Sequence, residues 1–211
     1  MAMAHEWDFK SGTARVFPAS SSGIAKPVIL AGMGEAGATD LAVFEAGVDH
    51  SAYSLLAALH GRGLDLILVG YRDGNDSLGA LAETVQKAMF RAISEQRGSV
   101  PLAVGGIGRG ALAARYALAK METQRMDHHT AVYFSYNGTV PTEEEASQLK
   151  GLGEWPRLPR LLGLASGDFT NELDLDIRTG PFNDSTTGAR NPGGPLITDE
   201  LGSWLVDRLA T

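Results

Sequence analysis

The chain alternates between short, mostly apolar runs and longer segments in which apolar residues recur at helical spacing. Mostly apolar runs of strand length are typical of strands buried on both faces of a sheet. Five segments fit this description: Pro27–Ala31, Leu64–Tyr71, Leu102–Val104, Ala131–Tyr136 and Arg160–Ala165. Helical spacing follows the second run, at Leu78, Leu81, Val85, Met89 and Ile93. Strands separated by helices predict a mostly parallel sheet in a three-layer α/β/α sandwich.

The same pattern assigns most of the chain to one domain. We expect residues 27–211 to form a single domain, preceded over residues 1–26 by an N-terminal arm and an edge strand. Residues 1–12 predict a loose arm, whereas Thr13–Phe17 predicts the edge strand. A chain of 211 residues is long enough to bury a sizeable core.

Several helix ends and one long loop are also marked in the sequence. Thr142 and Glu145 form a capping-box pair, and Thr198 predicts the N-cap of a last amphipathic helix. Apolar spacing predicts a further helix over His50–His60. Residues 171–195 are rich in Gly, Pro, Asn and Asp, which predicts an extended surface loop.

Composition narrows the classes of partner and cofactor. The net charge of −7 argues against a nucleic-acid surface. No cysteine is present, and the five histidines show no H-x-x-x-H spacing, so we expect no metal and no other cofactor. Residues 1–12 lack the apolar segment of a signal peptide, and no run has the length of a membrane span. We therefore expect a cytoplasmic protein whose partner is a small molecule, and a homodimer stays open.

The candidate site residues lie where the predicted strands end. In a parallel sheet, ligands bind at the carboxyl ends of the strands. The expected catalytic residues are Asp168, Glu35 and Tyr71, and the expected ligand-binding residues are Gly34, Asp73, Ile107, Gly108, Arg109, Tyr136 and Asn137. Each also has a structural interpretation, such as a solvated loop residue for Glu35 and core packing for the two tyrosines.

Pro101–Tyr116 has the order strand, tight glycine-rich turn, buried helix. This is the order of a nucleophile elbow, G-x-S-x-G, in which a serine is exposed at the top of a sheet. Here the five residues are Gly106-Ile107-Gly108-Arg109-Gly110. The framing glycines are present, and Gly108 stands where the serine would be.

Three stretches resemble the α/β-hydrolase fold, and more narrowly its lipase-like members related to GPI inositol-deacylases. They are Gly63–Val69 with Asp73-Gly74, Gly106–Leu118, and Ser135-Tyr136-Asn137. The resemblance implies a minimal, lidless α/β-hydrolase fold, since residues 141–158 are too short for the family's lid. It also implies positions for a catalytic serine, histidine and acid.

The chain departs from that family at two of the three catalytic positions. Gly108 replaces the serine, and the segment 191–195 (Asn-Pro-Gly-Gly-Pro) contains no histidine. Asp168 alone fits the acid position. Because a serine triad needs all three groups, a naturally serine-free protein is favoured over loss of the serine by one substitution.

Several functions remain open at this point. Asp168, Glu35 and Tyr71 would perform acid–base chemistry in a lyase, cyclase or isomerase of specialised metabolism. A second possibility is a non-catalytic pseudo-hydrolase that binds a ligand or a protein partner. A third is a lipase- or esterase-like hydrolase that Gly108 has inactivated. Gly106–Ala111 also fits the dinucleotide fingerprint G-x-G-x-x-[GA], although Asn137 stands where an acidic residue would end the next strand.

Overall fold

The computed structural model describes residues 3–168, 180–191 and 193–210. Its elements in chain order are β1 (His5–Phe9), β2 (Gly12–Phe17), β3 (Pro27–Ala31), α1 (Leu41–Val48), α2 (Leu55–Gly61), β4 (Asp65–Tyr71), α3 (Leu78–Glu95), β5 (Leu102–Ile107), α4 (Arg109–Thr123), β6 (Thr130–Tyr136), α5 (Glu143–Gly151), β7 (Arg160–Ala165), β8 (Asp184–Thr187) and α6 (Asp199–Leu209). The strands form one eight-stranded sheet in the order β1-β2-β4-β3-β5-β6-β7-β8. Strands β1 and β2 are antiparallel to their neighbours, and the others are parallel.

Helices cover both faces of the sheet. Alternate residues of β3 show how this is done: Ile29 packs on one face with α3 and α4, and Leu30 packs on the other with α1, α2 and α6. Both faces of the central strands are buried, which explains their continuous apolar runs. The expected three-layer sandwich with a mostly parallel sheet is confirmed.

Side-chain caps begin most of the helices. Asp40, Ser54, Ser77, Thr142 and Thr198 each accept a hydrogen bond from a backbone N–H in the first turn of the helix that follows. Among the described helices, α4 alone has no side-chain cap, because its N-cap residue is a glycine. The first amides of a helix have no acceptor within it, so the α4 amides lack the partner that a capping side chain provides.

Three elements differ from the sequence-based expectation. The prediction of a loose N-terminal arm is wrong, because β1 pairs with β2 and its Trp7 is fully buried. The edge strand on this side of the sheet is therefore β1 and not β2. Helix α1 was not anticipated, and α2 begins only at Leu55 rather than near residue 50. Part of the predicted surface loop is the edge strand β8, whereas residues 171–179 and 192 of that loop lie outside the described residues.

Candidate functional site

The turn between β5 and α4 has the backbone shape of an elbow. Gly108 has φ 56° and ψ −121°, a left-handed conformation that residues with a Cβ adopt only with strain. A Cβ on Gly106 would lie 2.4 Å from the Gly110 carbonyl carbon, and a Cβ on Gly110 would lie 2.1 Å from the Gly32 carbonyl oxygen. Both framing glycines are therefore required by backbone contacts. At Gly108, by contrast, the nearest atoms to a Cβ are 3.8 Å away.

A cavity of about 450 Å³ opens directly at this turn. Its walls come from the carboxyl ends of β3, β5, β6 and β7 and from the loop between β8 and α6. The described lining residues are Met33, Glu35, Ile107, Gly108, Arg109, Tyr136, Asn137, Thr139, Ser166, Asp168, Asn191, Gly193, Gly194, Pro195 and Leu196. The cavity is within the size range of small-molecule sites.

One wall of the cavity carries a buried polar network. Asn137 donates from Nδ2 to Ser166 Oγ (3.2 Å), and its Oδ1 accepts from the Ser166 backbone N–H (2.8 Å). Beside them, burial raises the pKa of Tyr136 to about 12, and the negative charge of Asp168 adds to that rise. The Tyr136 phenol therefore keeps its proton at neutral pH.

Asp168 contacts the loop in which the resemblance places a histidine. Its carboxylate accepts a hydrogen bond from the Asn191 backbone N–H, and the Asn191 side chain donates to the Pro195 carbonyl oxygen at 2.6 Å. All five histidines (His5, His50, His60, His128 and His129) lie within the described residues, and none lines the cavity. His50 lies in the α1–α2 loop, where its Nδ1 accepts from the Ala52 N–H.

Arg109 follows the elbow, but its charge is used within the fold. Its Nη2 donates to Glu145 Oε1 at 2.7 Å, and a Cβ on Gly34 would lie only 3.2 Å from the Arg109 Cβ. Burial alone would raise the pKa of Glu145, but the hydrogen bonds from Arg109 and from the Thr142 backbone N–H outweigh it and lower that pKa. The guanidinium is therefore neutralised by a carboxylate at the start of α5.

We expect Glu145→Gln to lower the free energy of unfolding by about 2 kcal/mol at pH 7, since it removes a charged partner from a mostly buried pair. The folded-state pKa of Glu145 lies below its ordinary value of 4.5, so its contribution is present above that pH and is lost as the pH falls further. Urea unfolding at pH 7 and pH 3 measures this.

The matched control for that experiment is Glu144→Gln. Glu144 is an exposed neighbour in the same helical turn, and its carboxylate accepts a hydrogen bond from Gln148 Nε2 at 3.3 Å. We expect this control to change stability by less than about 0.5 kcal/mol. Equal effects of the two substitutions at pH 7 would contradict the assignment of the Arg109–Glu145 pair.

The structure brings most of the predicted site residues together. Glu35, Ile107, Gly108, Arg109, Tyr136, Asn137 and Asp168 line the cavity, and Gly34 lines an adjoining one. Glu35 and Asp168 are both exposed. Within residues 3–168, 180–191 and 193–210, no cluster of three or more histidine or acidic side chains is arranged to hold a metal ion.

Two predicted site residues lie elsewhere. Tyr71 packs into the core between the sheet and the α3–α4 layer, where burial raises its pKa and the charge of Arg109 partly opposes the rise. Asp73 accepts hydrogen bonds from the backbone N–H groups of Gly37 and Asn75, both at 3.0 Å, and so fixes two loops to each other. Neither residue is among those described as lining the cavity.

Three polar lining residues were missed by sequence reasoning: Thr139, Ser166 and Asn191. Thr139 and Ser166 are lone polar residues in a loop or just past a strand end, whereas Asn191 begins the segment in which the resemblance places a histidine. Position relative to the predicted strands was the one available signal for the first two, since Ser166 directly follows β7 and Thr139 lies three residues after β6.

Several solved structures similar to this chain are esterases. An esterase from Pyrobaculum calidifontis has a TM-score of 0.65 at 14% identity over 98% of this chain and 84% of that chain. Esterase 2 from Thermogutta terrifontis, phosphoramylated by tabun, has a TM-score of 0.62 at 14% identity over 98% and 92% of the two chains. Esterase LipW from Mycobacterium marinum has a TM-score of 0.58 at 15% identity over 98% and 81%.

Sequence comparison adds no family assignment: no protein-family model matches the chain, and no curated protein matches it. The structural similarities extend over nearly the whole chain at low identity, and they establish the fold. Together with the strand order, they identify an α/β-hydrolase fold. In the part of the chain that the structure describes, no helix combines the length and the apolarity needed to cross a bilayer.

Proposed function

We propose that this protein binds a small neutral carbonyl compound in the cavity at the α4 N-terminus and does not hydrolyse it by serine chemistry. Gly108 carries the proposal, because it has an elbow backbone and no side chain. Serine hydrolysis requires a hydroxyl at that point and an imidazole that takes its proton. Position 108 has no hydroxyl, and no histidine lines the cavity.

The backbone around the elbow supports a carbonyl group as the feature recognised. In α/β-hydrolases, an oxyanion hole is formed by the amide after the elbow residue and an amide from the loop after the third strand. The corresponding elements here are Arg109 and the loop that follows β3. That loop borders the elbow, since the Met33 carbonyl oxygen lies 3.9 Å from the position of a Gly108 Cβ. The similar structures are esterases, whose substrates carry a carbonyl group.

The charges around the cavity favour a neutral ligand over an anionic one. Glu35 and Asp168 both line the cavity, whereas Arg109, the one cation among the described lining residues, is paired with Glu145. An anion would approach two carboxylates without a free cation to offset them.

We expect Thr139→Tyr to weaken binding of 2-hexanone at least about tenfold, because the added ring would occupy the cavity beside Gly108. Thr139 lines the cavity, and its Cγ2 lies 3.8 Å from the position of a Gly108 Cβ. Titration of the protein with the ketone, followed by amide chemical shifts, measures the affinity.

The control for this test is Val140→Tyr, which adds a tyrosine at the neighbouring, exposed residue outside the described cavity lining. We expect it to bind the ketone as the native protein does. The native protein should also hydrolyse p-nitrophenyl acetate no faster than buffer alone does. Failure of the native protein to bind any neutral carbonyl compound, or hydrolysis of the ester, would overturn the proposal.

A second candidate function is acid–base catalysis on the bound compound. The observation that favours it is the presence of Asp168 and of the protonated Tyr136 on one wall of the same cavity. A carboxylate and a phenol could accept and donate protons, respectively. In this candidate function Asp168 keeps the catalytic role predicted from the sequence. Tyr136 takes the role predicted for Tyr71, because Tyr71 packs in the core.

Dinucleotide binding at Gly106–Ala111 stays a prediction and is a weaker candidate. The helix N-terminus that the fingerprint requires is present at α4. A pyrophosphate there would face Glu35 and Asp168, and the guanidinium of Arg109 is already paired with Glu145. These charges disfavour a ligand with two negative charges.

A further inference from the structure

A separate cavity of about 660 Å³ lies at the end of the sheet opposite the elbow, beside the amino ends of β6 and β7. One wall comes from the last turn of α4 and the loop that follows it, within residues 122–127. The other comes from the end of α5 and the loop that leads to β7, at residues 151–153, 157 and 158. We refer to this cavity as the basal cleft. It shares no described lining residue with the cavity at the elbow.

Hydrogen bonds across the floor hold the two walls of the basal cleft together. The Glu122 carboxylate at the end of α4 accepts from the backbone N–H groups of Arg157 at 2.8 Å and Leu158 at 3.0 Å. Beside it, Thr123 Oγ1 donates to the Leu152 carbonyl oxygen at 3.1 Å. The cleft is therefore part of the folded protein and does not need a ligand in order to form.

Both helices that border the basal cleft end in a Schellman motif, whose C′ residue has a left-handed conformation. In α5 this residue is Gly153, with φ 89°, whereas in α4 it is Arg125, with φ 58°. The α4 motif is complete, since the Arg125 N–H donates to the Glu122 carbonyl oxygen and the Met126 N–H to that of Met121, both at 2.9 Å. Glycine suits this position because it has no Cβ. Arg125 therefore strains the backbone where α5 shows the relaxed alternative.

No contact within the described ranges of the chain offsets that strain. The guanidinium groups of Arg125 and Arg157 both line the basal cleft, and neither forms an ion pair or a hydrogen bond with another described residue. The two carboxylates of the lining are already engaged, Glu122 by the N–H groups across the floor and Asp127 by the His129 N–H at 2.9 Å. Two cationic forks are thus left for an anionic group.

The basal cleft also exposes apolar surface beside these arginines. Met126 is 40% exposed and Leu158 is 71% exposed, and both line the cleft together with Leu152. A small inorganic anion would leave this surface in water. An anion with an apolar body would cover it and gain the free energy of burial.

We propose that the basal cleft is a second binding site, and that its ligand is an amphiphilic anion: a carboxylate, sulfonate or phosphate attached to an aromatic or aliphatic body. Arg125 and Arg157 bind the anionic group, and Met126, Leu152 and Leu158 contact the body. This inference is independent of the carbonyl site, because the two cavities lie at opposite ends of the sheet. The two sites also differ in preference, since two carboxylates disfavour an anion at the elbow.

The test is a titration with 4-phenylbutyrate, followed by amide chemical shifts. We expect the shifts to change within residues 122–127 and 151–158 and not at the elbow. Two comparison compounds each lack one half of the ligand: 4-phenylbutan-1-ol has no charge, and acetate has no apolar body. Each should bind at least about tenfold more weakly than 4-phenylbutyrate.

The substitution Arg125→Gly separates binding from folding. It gives α4 the C′ residue that α5 already has, so the urea midpoint should equal or exceed that of the native protein. The affinity for 4-phenylbutyrate should nevertheless fall at least about tenfold, because one guanidinium is lost. A lower urea midpoint would contradict the inference, since the arginine would then serve the fold.

Arg157→Gln should weaken 4-phenylbutyrate binding to a similar extent, and Arg97→Gln is its matched control. Arg97 is an exposed arginine in the loop before β5 that does not belong to the described lining of the basal cleft. We expect this control to bind as the native protein does. Asp127→Asn should tighten binding about threefold, because it removes a negative charge from the lining.

Three further results would overturn the proposal. Equal affinity for 4-phenylbutyrate and 4-phenylbutan-1-ol would exclude recognition of an anion. Equal losses in Arg157→Gln and Arg97→Gln would indicate diffuse attraction by surface charge and no defined site. Shift changes at the elbow alone would place the ligand in the other cavity. None of these results would affect the carbonyl site, which the titration with 2-hexanone tests separately.

Discussion

The double substitution Gly108→Ser/Asn191→His is expected to hydrolyse p-nitrophenyl acetate at least about 10²-fold faster than Gly108→Ser alone, the usual contribution of a general base. A serine at position 108 would project into space where the nearest atoms lie 3.8 Å from its Cβ. An imidazole at position 191 would stand beside Asp168, whose carboxylate already accepts from the Asn191 backbone. Serine, imidazole and carboxylate would then line one cavity, as a triad requires.

The control is a second double variant, Gly108→Ser/Asn75→His, in which the histidine lies outside the cavity. Asn75 lies in the loop between β4 and α3, where its backbone N–H donates to Asp73. Both variants share the strain of a serine at φ 56°, which we expect to cost about 1–3 kcal/mol of stability. Equal hydrolysis by the two double variants would contradict the placement of nucleophile and base at positions 108 and 191.

The substitution Gly110→Ala is expected to lower the free energy of unfolding by at least about 3 kcal/mol, the upper part of the range for overpacked sites. Its Cβ would lie 2.1 Å from the Gly32 carbonyl oxygen and 2.4 Å from the Ala31 carbonyl oxygen. Both are backbone atoms, one in the last residue of β3 and one in the residue after it, and backbone atoms cannot rotate away as a side chain can. Urea denaturation followed by circular dichroism measures the loss.

The control is Gly151→Ala, at the last residue of α5, where a Cβ would meet no atom within 4 Å. There we expect a small gain in stability, since alanine is the better helix former. If Gly110→Ala were as stable as this control, α4 would not approach β3 as closely as described. The close contact matters for function, because it brings the first amides of α4 next to the loop after β3.

The central strands were predictable because burial on both faces leaves a continuous apolar run. Leu66, Ile67, Leu68 and Val69 of β4 are all fully buried, two toward each layer of helices. Strand β8 (Asp184–Thr187) has no apolar residue and sits at the edge of the sheet, so no hydrophobic pattern marks it. Strand β1 was missed because its two apolar residues, Trp7 and Phe9, give too weak a signal in so short a segment.

The candidate site was predictable as a region but not residue by residue. Strand ends pointed to the elbow, to Tyr136-Asn137 and to Asp168, which do share a cavity. They also pointed to Tyr71, whose ring turns toward the α3–α4 layer instead. Successive residues of a strand face opposite sides, so a shift of one position decides between core and cavity, and the sequence does not mark that shift at the end of a strand.

The most direct test of the central claim is the intact mass of the native protein after treatment with a fluorophosphonate, beside that of Gly108→Ser/Asn191→His. Such probes form an adduct with an activated serine hydroxyl. The account predicts no adduct on the native protein, because position 108 has no hydroxyl, and an adduct on the double variant, where an imidazole at position 191 can take the proton of the serine hydroxyl. A stoichiometric adduct on the native protein would contradict it, since another residue would then act as the nucleophile.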